Sequence, residues 1–142
     1  MISIDKNIGR WDAGVYAIIS KLDGGRIYVG QSINILKRIK QHDYKLSVGT
    51  HNNIELQKLY DMDTDFTVKV LEKVWYKHDA PKVVDIGALL RIKEAFYIIK
   101  YQNVCINRDS PYSLANKINS YYDNSISHYY TPKDRKIIDV YL

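Results

Sequence analysis

The stretch "GVYAIISKLDGGRIYVG", residues 14–30, decides how the rest of this chain is read. "GVYAIIS" and "RIYVG" have the β-branched and aromatic content of strands, and "KLDGG" between them is turn material. Closing the hairpin with the odd loop 21–25 sets residue 20 opposite 26 and residue 18 opposite 28. Tyr16 and Tyr28 then share one face of the sheet, a diagonal step apart. An even loop without a bulge would put them on opposite faces. On hairpin evidence alone the pair reads equally as two tyrosines packing a half-buried sheet.

Working outward, "SINILKRIKQHDYKL" carries Leu36, Ile39 and Leu46 at helical spacing, with Ser32 as the expected N-cap. Gly49 in "SVGTHNN" ends that helix. A shorter helix is expected through "IELQKLYDM", with Leu56, Leu59 and Tyr60 inward. "DFTVKVLEKV" alternates Phe66, Val68 and Val70 with polar residues, which predicts a strand. "KHDAPK" is loop. "VVDIGALLRIKEAFYIIKY" is the longest helix, capped by Asp85 and apolar nearly all round, so it belongs in the interior. The loop or short strand "NVCINRDSP" leaves it. The order β-β-α-α-β-α predicts one α/β domain, with a small, mainly antiparallel three-stranded sheet flanked by helices. The expected boundaries are residues 1–117 for the domain and 118–142 for a short C-terminal extension. The extension holds Lys133, Arg135, Lys136 and five tyrosines from Tyr121 to Tyr141. It suits packing, dimerisation or DNA contact by stacking and charge.

At 142 residues the chain can bury one core, and its 46% hydrophobic content fits a globular domain. No apolar run reaches the roughly 18–20 residues of a membrane span. The N-terminus lacks the charged-then-apolar signature of a signal peptide, so a cytoplasmic location is expected. The lone cysteine, Cys105, can make no internal disulfide and reads as a small buried apolar residue. A net charge of +5 favours polyanionic partners.

Polar residues along these elements form a second pattern. Arg38 and His42 are four apart on one helix, hence on one face, with Lys37 adjacent. They read as a charged helix flank or as groups turned toward the sheet. His51 follows in the next loop. Glu94 is the only acid between Asp85 and Asp109. Burying it between Ile92 and Phe96 is costly without a partner. It lies either on a wet stripe with Arg91 or in a functional cleft. Together these types suit phosphodiester hydrolysis: a base for water, cations for the phosphate, and a carboxylate for a divalent metal.

At this point the chain resembles a known family, the GIY-YIG nucleases. Its first half-motif is matched by Gly14-Val15-Tyr16 and its second by Tyr28-Val29-Gly30, with valine for isoleucine in both. The family's arginine is matched by Arg38, its histidine by His42, its helix acid by Glu94 and its closing asparagine by Asn107 in "VCINRD". Within the family, "KRIKQH", "THNNIELQ" and "KEAFYIIKYQN" resemble the catalytic domains of phage-type homing endonucleases, and His51 matches a histidine of those relatives.

The resemblance implies a metal-dependent endonuclease acting on DNA, double-stranded by expectation. Tyr16 would activate the attacking water and pass its proton toward His42. Tyr28 would hold phosphate or water. Arg38 would neutralise the phosphate, and with Lys37 and His51 would contact DNA. Glu94 would bind one Mg²⁺ or Mn²⁺, and Asn107 would order the site by hydrogen bonds. A non-catalytic nucleic-acid-binding protein on the same scaffold and a restriction-type dimeric endonuclease are the competing readings.

Overall fold

In a computed structural model, the structure describes residues 2–22, 24–74, 86–108, 113, 114 and 116. The expected Asp85 cap, the "KHDAPK" loop and the extension 118–142 lie outside the described residues.

Strands β1 (Ile2–Ser3), β2 (Gly14–Ser20), β3 (Ile27–Ser32) and β4 (Phe66–Lys73) form one sheet in the order β1-β4-β2-β3. The three predicted strands pair antiparallel. The fourth, β1, is two residues long and adds a parallel edge, Ile2 opposite Phe66. Two residues carry no readable alternation, so pattern reading could not find it.

The hairpin closes as its odd loop requires. Ser20 N donates to Arg26 O at 3.0 Å, and Ile18 pairs with Tyr28. Gly24 and Gly25 both adopt positive φ in the turn, which glycine enters without steric cost.

Helix α1 (Ile35–Ser47) starts two residues later than predicted. Ser32 is still paired with Gly14 in the sheet. Asn34 is the cap: its Oδ1 accepts from Lys37 N at 3.1 Å, while Ser32 Oγ accepts from Asn34 N and donates to Asn34 O, both at 2.9 Å. At the other end Gly49 N donates to Leu46 O and Thr50 N to Lys45 O, the pair of bonds of a left-handed C-terminal cap. Asn53 caps α2 (Ile54–Met62), accepting from Leu56 N at 3.0 Å.

β2 is an inner strand, and both of its faces are covered. On one face Val15, Val29 and Ile27 pack against Ile92, Ala95, Phe96 and Ile99 of α3 (Ile86–Lys100). On the other, Tyr16 and Ile18 pack with Ile35, Ile39 and Leu46 of α1 and Leu56 of α2. Each such fully buried aliphatic side chain contributes about 1.5–3 kcal/mol. No helix among the described residues is long and apolar enough to cross a membrane.

An open β3 edge would offer unpaired backbone to any passing strand. Here the segment after α3 covers it. Ile27 N donates to Val104 O at 3.0 Å and Ile106 N to Ile27 O at 2.9 Å. The ladder then continues through a side chain. Asn107 Oδ1 accepts from Val29 N at 2.9 Å, and its Nδ2 donates to Val29 O at 2.8 Å.

Candidate active site

The two glycines of the hairpin strands have steric reasons. Gly14 sits at a positive φ of 156° beside a shift in β2–β4 register, where a Cβ would run into the Glu72 carbonyl. Gly30 is the cross-strand partner of Tyr16, and a Cβ there would overlap the Tyr16 hydroxyl and ring. The second glycine therefore makes the space in which the first tyrosine lies.

Tyr16 is 1% exposed, and its Oη is 2.7 Å from His42 Nε2. The other nitrogen of that ring, Nδ1, is 2.7 Å from His51 Nε2. Tyr28, on the same sheet face, sets its ring edge against both imidazoles, with centroids 5.4 Å from His42 and 5.8 Å from His51. His42 replaces an aliphatic residue in the buried stripe Ile35, Ile39, His42, Leu46 of α1. The helix face that packs the core thus also delivers the imidazole to the sheet.

Arg38, one turn earlier, is half-buried and donates to Gln41 Oε1 at 3.1 Å. Its positive charge and hydrogen-bonding reach favour ionisation of Tyr16, against a larger opposing effect of burial and against the charges of Tyr28 and Glu94, so Tyr16 is held well above the ordinary tyrosine range. His42 is pushed down to about 3, first by burial and then by Arg38, His51 and Lys45. His51 is lowered too, chiefly by burial.

Glu94 comes from α3, on the opposite sheet face from Tyr16 and Tyr28. It is half-buried while Arg91 is exposed. Its negative charge adds a small part to the raised pKa of both Tyr16 and Cys105, each of which is raised chiefly by burial. Its neighbour Lys93 faces other partners, being 7% exposed with Nζ 3.3 Å from Glu72 Oε2. The Tyr–His–His cluster with Arg38 thus lies on one face of the sheet, and Glu94 belongs to the helix that covers the other.

The remaining expected residues divide. Asn107 lies at the same strand but spends its amide on Val29, and its Oδ1 also accepts from Cys105 Sγ at 2.9 Å. Cys105, expected to be buried, is half-buried and packs against the core cluster between α3 and the sheet. Lys37 is exposed and lies outside the hydrogen-bonded cluster. One participant was missed by sequence reasoning. Asn53 N donates to His51 Nδ1 at 3.0 Å, and Asn53 Nδ2 donates to Ile106 O at 3.1 Å. Its place before the "IELQKLY" run was a readable cap signal, but nothing in the sequence tied that cap to a histidine.

Among the described residues no three His, Cys, Asp or Glu side chains form a metal cage. A single half-buried carboxylate such as Glu94 suits a hard cation that takes oxygen ligands and keeps most of its waters.

A mainly antiparallel sheet whose hairpin brings two tyrosines to one face beside Arg38 and His42, with Glu94 on the helix covering the other face, has the layout of a nuclease domain. The family comparison agrees: the GIY-YIG catalytic domain matches residues 12–107, and the chain belongs to the GIY-YIG family. Two solved structures are similar to it. The catalytic domain of the homing endonuclease I-TevI is 26% identical with a TM-score of 0.56, covering 69% of this chain and 99% of that one. A mutant form of the catalytic domain of the intron endonuclease I-TevI is 27% identical with a TM-score of 0.52, covering 64% and 84%. Comparison with curated proteins returned no match.

Proposed function

We propose that this protein is a divalent-metal-dependent DNA endonuclease of the homing type, hydrolysing phosphodiester bonds of double-stranded DNA. The observation that supports this most is the gathering of Tyr16, Tyr28, Arg38 and His42 with the charge of Glu94 around strand β3, from segments distant in the chain.

In this reading Tyr16, once ionised with the help of the Arg38 charge, receives the proton of the attacking water at Oη. Arg38 sets a permanent positive charge beside it, where charge develops on the phosphate, and such donors act strongly in a partly desolvated site. Tyr28 holds the water or phosphate against the two imidazoles. Asn107 fixes the Val29 backbone between Tyr28 and Gly30, so its part is to hold the strand rather than to touch substrate. Glu94 would hold a Mg²⁺ or Mn²⁺ ion, which when bound supplies charge to the leaving oxygen. Lys37, exposed on α1, extends the basic surface toward the DNA backbone, whereas His51 has both ring nitrogens engaged within the cluster, by Asn53 and His42.

The test is incubation with supercoiled plasmid and Mg²⁺ or Mn²⁺, wild type beside Glu94→Ala, with end-sequencing of the products. Cleavage by wild type alone supports the reading. DNA binding without cleavage by either protein supports a non-catalytic binding module. Paired double-strand breaks at one sequence, with a dimer in solution, support a restriction-type enzyme.

A further inference from the structure

The chain of hydrogen bonds Asn53–His51–His42–Tyr16 has a direction, and it begins at an atom whose role cannot change. A backbone N–H only donates. Asn53 N–H, 3.0 Å from His51 Nδ1, therefore meets a lone pair there. A neutral imidazole has one proton, so that of His51 is on Nε2, 2.7 Å from His42 Nδ1. His42 Nδ1 must then accept, since two N–H groups cannot face each other at that distance. The one remaining proton of His42 sits on Nε2, 2.7 Å from Tyr16 Oη.

We propose that Asn53 and His51 act as positioning residues that fix the proton of His42 on Nε2, so that His42 donates to the Tyr16 hydroxyl and does not take Tyr16's proton. The consequence for catalysis rests on the nuclease reading. It reverses the expectation drawn from the family resemblance, in which the proton moves from Tyr16 to His42. Here the Tyr16 hydroxyl proton is turned away from His42. When Tyr16 is ionised, the His42 Nε2–H is aimed at its oxygen and stabilises the tyrosinate. The proton of the attacking water then goes to Tyr16 Oη, and no further along the chain.

The starting point is held firmly. Asn53 is 8% exposed, caps α2 through Oδ1 and donates through Nδ2 to Ile106 O, next to the Asn107 clamp on β3. Gln57 Oε1 accepts from His51 N at 3.2 Å, which fixes the backbone that carries the second ring. Partners of this kind select which nitrogen of a functional histidine is protonated, and their loss costs about 10–100-fold where the histidine binds a metal.

The experiment is long-range ¹H–¹⁵N correlation NMR of the full chain labelled at histidine, at neutral pH without DNA. His42 and His51 are assigned by loss of signal in His42→Gln and His51→Gln. Both rings are expected with protonated Nε2 and unprotonated Nδ1. His42 protonated on Nδ1 overturns the proposal. His51→Gln, whose amide can accept from Asn53 and donate to His42, should keep the His42 Nε2–H form, whereas His51→Ala should give a mixture of tautomers. In cleavage assays kcat should fall about 10–100-fold in His51→Ala and be restored part-way in His51→Gln. Equal kcat in the two variants, or an unchanged His42 tautomer in His51→Ala, counts against the assignment. The wild-type spectrum needs no cleavage, so failure of the nuclease reading is seen separately.

Discussion

Tyr16 lies over Gly30, its partner across strands β2 and β3, so closely that no side chain fits between them. The buried tyrosine and the glycine of the second half-motif are thus one structural unit. Gly30→Ala should push the Tyr16 ring off His42 at a cost of about 1–3 kcal/mol, the usual range for overpacking. Cleavage should fall further than stability explains. Urea unfolding and single-turnover rates on one preparation would separate the two effects. A Gly30→Ala protein with wild-type rate would show that Tyr16 need not sit where it does.

Among the described residues Arg38 is the one cation whose charge favours ionisation of Tyr16. Its loss should lower the cleavage rate by about 10²–10³, as for removal of one donor to a developing negative charge. DNA affinity should change little, because many of the 21 lysines and arginines remain to neutralise phosphates. Fluorescence anisotropy for binding and quenched-flow cleavage give the comparison. A parallel loss of affinity and rate would assign Arg38 to binding instead.

Removing the metal should act like removing its ligand. With Glu94 as the one proposed protein ligand, activity should need Mg²⁺ at roughly millimolar concentration, and EDTA should stop cleavage while DNA binding persists. Glu94→Gln keeps size and removes charge, so it should fold normally and bind DNA but not cut it. Full activity in EDTA, or cleavage by Glu94→Gln near the wild-type rate, would place the chemistry elsewhere.

Acid should loosen the cluster. His42 is held neutral by burial, with Arg38, His51 and Lys45 adding to the effect and with the neutral Tyr16 and Tyr28 rings packed against it. Its folded value of about 3 lies below the ordinary histidine value of 6.5, so between these the unfolded chain binds the extra proton. Stability is full above pH 6.5 and declines as pH falls toward 3, by at most about 1.4 kcal/mol per unit from this one group. His42→Gln should flatten that slope in urea titrations across the window. An unchanged slope would mean that His42 carries its proton in the folded state.

Much of this protein was legible before folding was considered. The odd hairpin loop placed Tyr16 and Tyr28 on one face, because strand side chains alternate strictly. The spacing of Arg38 and His42 placed them together, because four residues make about one helical turn. Those are local rules, and local geometry obeys them.

What only the tertiary structure decided involves pairs far apart in the chain. Strand β1 exists because Ile2 meets Phe66, and two residues have no pattern of their own. Asn107 closes the β3 edge because α3 returns the chain to Val29, a partner 78 residues away. Asn53 directs the protons of two histidines because its helix cap faces the His51 ring. A residue's type states which hydrogen bonds it can make, but its partner is chosen by packing, and packing is set by the whole chain at once.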